Sequence, residues 1–157
     1  IIEQNEVAEE IAEIFNECTL KTSISDDIKR ELWNKLVINC VVNPLTALFR
    51  VRNCEIVVDS LKDVRHKIVR ECVEVGKVDG TTFPPGLEDK IDRELSRYTN
   101  FSSMCQDIMK GKKTEIDFLN GKIVELGRKH NIPTPVNETI LCLIKFLEGR
   151  DGISRQN

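Results

Sequence analysis

Apolar residues recur at helical spacing along almost the whole chain. Val7, Ile11 and Ile14, with Ala8 and Phe15, fall at i, i+3/i+4 and i+7, predicting an amphipathic helix over about residues 5–18. Thr19 to Ile24 reads as a connector. Ser25, followed by Asp26 and Asp27, opens a second helix: a hydroxyl can accept from an exposed backbone N–H, and carboxylates favour the positive end of the helix dipole. This helix is expected to run to about Asn43, because Pro44 disfavours a helical residue before it, with a short helical turn from Leu45 to Phe49. The segment Leu36 to Val42 is also short and β-branched enough for a buried strand. The acidic start and the continuity through Ile28, Leu32 and Trp33 favour a helix.

Val57, Leu61, Val64, Ile68, Cys72 and Val75 mark a third helix over about 57–75. Gly76 to Gly86, with Gly80, Pro84 and Pro85, is the clearest loop, and a short helix over about 87–98 follows. A polar stretch around Asn100 to Ser103 precedes a break at Gly111-Lys112-Lys113. Thr114-Glu115-Ile116-Asp117 matches a capping box, which should open a helix carrying Ile116, Leu119, Ile123 and Leu126. Pro133 and Pro135 punctuate, a last helix covers about 137–148, and the segment from Asp151 reads as a polar tail. With no internal repeat and no convincing βαβ alternation, the expected fold is all-α: one helical domain over 1–150 with a tail over 151–157.

At 157 residues the length fits a single domain. The net charge of −3 argues against a nucleic-acid partner, which would need clustered basic residues. No uninterrupted apolar run approaches the ~18 residues of a bilayer span, so no membrane is expected. The start, Ile1-Ile2-Glu3-Gln4, lacks both an initiator Met and a signal peptide's basic and apolar regions, and reads as a cut end of a longer protein. The six cysteines, at 18, 40, 54, 72, 105 and 142, contain no CxxC pair. Cys40 and Cys142 sit among aliphatic residues and read as buried hydrophobes, favouring reduced thiols in a cytoplasmic protein. His66 and His130 lie far apart and away from any cysteine at zinc-ligand spacing, so no metal site is expected.

Lys35, Asn39 and Asn43, at i, i+4 and i+8, form one polar stripe on an otherwise apolar helix. Either the stripe is the helix's solvated edge, or its ammonium and amides open onto a cleft, since burying them unpaired is expensive. Asn100 to Asp107 is either a polar loop entering a helix through serine caps or a second set of ligands. Glu115 either complements a helix N-terminus or serves a site.

Together these segments resemble a known family. Trp33-Asn34-Lys35-Leu36-Val37-Ile38-Asn39-Cys40-Val41-Val42-Asn43-Pro44-Leu45-Thr46-Ala47-Leu48 is similar to the W-x-K-L-x-x-N-x-x-x-N-P-L-T-A-L segment of ketopantoate reductases (2-dehydropantoate 2-reductases). Asn100-Phe101-Ser102-Ser103-Met104-Cys105-Gln106-Asp107, then Thr114-Glu115-Ile116-Asp117-Phe118-Leu119-Asn120-Gly121, resembles that family's second signature at the same internal spacing. The resemblance covers essentially the whole chain, but only the helical C-terminal half of the family's architecture.

The resemblance implies a helical domain similar to the C-terminal domain of 6-phosphogluconate dehydrogenases, paired with an N-terminal Rossmann domain that binds NADPH. The substrate, 2-dehydropantoate, would lie between the halves and receive a hydride at its keto carbon. By motif position Lys35 is the general acid, Asn39, Asn43, Asn100 and Ser103 bind the substrate, and Glu115 acts in binding and catalysis. None of the eight glycines falls in G-x-G, so the dinucleotide fingerprint is absent from this chain. The expected function is the substrate-binding and catalytic half of an NADP-dependent reductase of pantothenate and coenzyme A biosynthesis, inactive alone. Its expected partners are a 2-oxo acid, its own Rossmann domain and a second copy in a homodimer. The alternatives are a reductase of another 2-oxo acid and a non-catalytic helical dimerisation module.

Overall fold

The computed structural model describes residues 1–5 and 7–153. Two short strands, β1 (Ile2–Glu3) and β2 (Ile24–Ser25), pair in parallel, joined by helix α1 (Ala8–Glu17). Then come α2 (Ile28–Phe49), α3 (Asp59–Val78), α4 (Leu87–Leu95), α5 (Ser103–Met109), α6 (Asn120–His130) and α7 (Pro135–Ile153). Among the described residues the fold is all-α apart from this one strand pair. Strands two residues long carry no alternation to read, which is why a βαβ unit escaped the sequence. The tail expected from residue 151 is helical to Ile153; residues 154–157 lie outside the described residues.

Helix α2 is the centre of the domain. It packs on α3, α5 and α7, while α6 packs on α3 and α7. Val37, Val41 and Leu45 of α2 meet Ile68, Cys72 and Val75 of α3 in one core with Ile91, Met104, Ile123 and Ile144. Among the described residues α2 alone is long and apolar enough to cross a membrane, but most of its most apolar stretch is buried in this core. At its start Asp27, not Ser25, accepts the free Arg30 N–H, at 3.0 Å. At its far end the helix continues through Pro44 instead of stopping at Asn43. Pro44 has no N–H for the Cys40 carbonyl, and the Asn120 side chain supplies the missing donor at 3.0 Å.

Two other expectations change. Thr114 does not open α6: its N–H and hydroxyl both bind Glu148 of α7, each at 2.7 Å, and a 3-10 turn (Ile116–Phe118) intervenes before Asn120. On α1 only Ala8 and Ala12 are buried, whereas Ile14 and Phe15, and Val7 just before the helix, face outward. Of the cysteines, 40, 72 and 105 are buried as hydrophobes, but Cys142 is exposed because α7 turns that side away from the core.

Candidate functional site

The polar stripe of α2 does face concave surface. Lys35 and Asn39 line a cavity of about 540 Å³, walled on the other side by α4 residues including Lys90 and Glu94. Asn39 also lines an adjoining cavity of about 270 Å³, together with Asn43, Asn53, Asn100 and Ser103. The two share Ile38, Asn39 and Tyr98 as a common wall. Five of the six residues singled out from the sequence therefore line these two adjoining cavities. Glu115 does not line it: it is exposed, just before the 3-10 turn that leads to α6.

Backbone pairing just beyond the end of α2 brings the second motif to the first. A 3-10 turn, Asn53–Ile56, docks on the segment after α4: Asn53 N–H donates to the Asn100 carbonyl at 3.0 Å and Cys54 N–H to the Tyr98 carbonyl at 2.9 Å. Arg52 reinforces the join by donating to the Thr99 carbonyl and lying 4.9 Å over the Phe101 ring. Ser102 then caps α5, accepting from Cys105 N–H at 3.0 Å, while its hydroxyl meets that of Thr46 at 2.7 Å. Ser103, the next residue, starts α5 on the cavity side.

Arg65 braces this arrangement from behind. It is 2% exposed and makes a bidentate pair with Asp92 of α4, 2.8 Å on each arm. Its remaining arm donates to the carbonyls of Ile56 and Val58, at 2.6 and 2.9 Å, so one side chain ties the turn carrying Asn53 to the helix that walls the cavity. Burial works against the Asp92 charge, but hydrogen bonds from Arg65 and His66 outweigh it and hold the carboxyl below the usual range.

Asn53 was missed in the sequence. It is 6% exposed, its Oδ1 has no hydrogen-bond partner, and it lines the smaller cavity. Asn34 lines the larger cavity, and its buried Oδ1 is likewise unpartnered. Orphaned buried acceptors are rare, and at a concavity they are positions where a ligand's donor would complete the bonding. Tyr98, at the junction, donates its hydroxyl to Glu94 at 2.9 Å, and the bond to that carboxylate raises its pKa. Among the described residues no group of three or more His, Cys, Asp or Glu side chains is placed to hold a metal ion.

The family model described as "Ketopantoate reductase PanE/ApbA C terminal" matches residues 27–148. The 2-dehydropantoate 2-reductase of Pyrococcus horikoshii is 34% identical over 154 residues, covering 97% of this chain and 51% of that protein. The Vibrio cholerae enzyme of the same name is 34% identical over 140 residues, 88% of this chain and 47% of that one. A PanE/ApbA family ketopantoate reductase structure from Ralstonia eutropha superposes with a TM-score of 0.87 at 30% identity, over 96% of this chain and 51% of that one. D-mandelate dehydrogenase, solved with NADH and anilino(oxo)acetate, shares the fold at a TM-score of 0.87 and 24% identity, over 93% of this chain and 62% of that one. The chain spans about half the length of the curated relatives it matches. It belongs to the ketopantoate reductase family, as that family's C-terminal domain.

Proposed function

We propose that this chain is the substrate-binding and catalytic half of an NADP-dependent 2-dehydropantoate 2-reductase serving pantothenate and coenzyme A synthesis in the cytoplasm. The observation that carries the reading is the placement of Lys35, Asn39, Asn43, Asn100 and Ser103 along two adjoining cavities, joined at Asn39, in a chain of this family. Reduction of a 2-oxo acid builds negative charge on the keto oxygen. The Lys35 ammonium stabilises that charge and passes a proton from Nζ to the oxygen, leaving the alcohol. The amides and the Ser103 hydroxyl hold carboxylate and hydroxyl groups without adding another titrating group. Asn53 extends the set, its buried, unpartnered Oδ1 suited to a substrate hydroxyl donor.

The hydride is assigned to NADPH held mainly by another domain. This chain's residues do not form the cofactor's phosphate cradle: no glycine lies in G-x-G, and the segment joining β1 to α1 carries no glycine at all. Every step assigned to these residues therefore concerns the substrate's oxygens. Glu115, which lines neither cavity, keeps the role in binding and catalysis that its motif position implies.

The domain boundary also moves under this reading. A parallel strand pair with one crossover helix normally forms part of a larger sheet covered on both faces. We assign residues 1–25 to the edge of the cofactor domain's sheet, with the exposed Val7 and the exposed Ile14 and Phe15 of α1 as its packing face. A homodimer of the complete enzyme is part of the same proposal. Assay of the full-length protein against a panel of 2-oxo acids, with NADPH and NADH, tests it: preference for 2-dehydropantoate and NADPH is expected. Preference for another 2-oxo acid, or no reduction of any, would overturn it.

A further inference from the structure

We infer that Asn120 is a positioning residue for the cavity amides of α2, acting through the carbonyl that Pro44 leaves without a helical donor. The inference rests on the reading that Asn39 and Asn43 hold the substrate. In an α-helix the N–H of residue 44 would bind the carbonyl of residue 40, and proline has none. Cys40 is fully buried, so water cannot complete its carbonyl. The Asn120 Nδ2 does so from the first turn of α6, at 3.0 Å.

That amide is itself held. Its second N–H donates to Asn137 Oδ1 at 2.9 Å, and Asn137 Nδ2 donates to Glu71 Oε2 at 2.7 Å. The Glu71 carboxylate also accepts the Val136 and Asn137 N–H groups at the start of α7, each at 2.9 Å. The relay runs from α3 through α7 and α6 into α2, and Asn120 and Asn137 are both fully buried. The Asn120 Oδ1 is left without a partner. What the structure uses is the pair of N–H groups, one of them spent on α2. Cys40 sits within the single turn that separates Asn39 from Asn43, so this bond fixes the turn presenting both cavity amides. It also gives the Asn120 position of the second motif a task that none of the cavity residues performs.

Proline and asparagine should therefore be interdependent. Pro44→Ala restores a backbone N–H to the Cys40 carbonyl and makes the Asn120 bond to that carbonyl dispensable. Asn120→Leu in the isotopically labelled 157-residue chain is expected to shift the side-chain amide resonances of Asn39 and Asn43. In the Pro44→Ala background the same change should shift them far less. Should Asn120→Leu alone not fold, recovery of folding on adding Pro44→Ala supports the assignment, and continued unfolding overturns it. Resonances that do not move, or that move equally in both backgrounds, also overturn it. In the full-length enzyme Asn120→Leu should raise the KM for 2-dehydropantoate by roughly 10–10²-fold, the scale of a slightly misplaced binding group, with the added Pro44→Ala recovering most of it. A KM unchanged by Asn120→Leu would overturn the inference. If the wild-type enzyme turns over no 2-dehydropantoate, the functional proposal fails while the resonance comparison still decides the role of Asn120.

Discussion

Under the proposed function, Asn53 is a residue expected to matter to binding and not to folding. Its Oδ1 is buried without a partner, so the folded chain bears a desolvation cost that only a ligand's donor repays. Asn53→Ala should leave the thermal midpoint unchanged or raised while weakening substrate binding. A single hydrogen bond is worth ~0.5–1.5 kcal/mol, which corresponds to a KM about two- to tenfold higher with kcat largely kept. Steady-state kinetics beside a melting curve checks this; a lowered midpoint with normal KM would assign Asn53 to the fold instead. The sequence exposed Lys35, Asn39 and Asn43 because helical spacing alone puts them on one stripe. Asn53 had no such signal, since it reaches the cavity only through backbone bonds to Tyr98 and Asn100, which lie more than forty residues along the chain.

Between elements, the buried Arg65–Asp92 pair joins α3, α4 and the turn bearing Asn53, with His66 on the same carboxylate at 3.1 Å. Arg65→Met strands a partly buried carboxylate and the Ile56 and Val58 carbonyls, and should cost about 3–5 kcal/mol in denaturant unfolding. A loss below about 1 kcal/mol would place this cluster among ordinary surface pairs. Because the folded state lowers the Asp92 pKa, its contribution is complete above the unfolded carboxyl value of ~3.9. It is lost as pH falls through the lower folded value. Asp92→Asn should flatten this acid limb of the stability curve, measured by urea midpoints across acidic pH; an unchanged limb would contradict it. Helix positions were legible from periodicity, but two ends were not. Pro44 would end an isolated helix, and Thr114 would start one; Asn120 and Glu148, distant in sequence, supply the partners that override both local signals.

At the scale of the whole molecule, the all-α core was readable because each helix carries its own apolar face. The strand pair was not, since two residues per strand leave no pattern, and the outward-facing Val7, with Ile14 and Phe15 of α1, lies outside this core. Contiguous apolar surface of this kind promotes association, so sedimentation should show the 157-residue chain self-associating as concentration rises. Shortening it to residues 26–157 should reduce that tendency and leave the unfolding of α2–α7 little changed. A lowered midpoint would show that residues 1–25 belong to the helical core. The central claim is that this helical half supplies the acid for ketone reduction. It is tested most directly by the kcat of the full-length Lys35→Met enzyme with NADPH and 2-dehydropantoate, with folding verified by circular dichroism. Methionine keeps much of the lysine stem and removes both charge and proton, so kcat should fall by ~10²–10⁴-fold. A folded Lys35→Met enzyme with near-normal kcat would contradict the account.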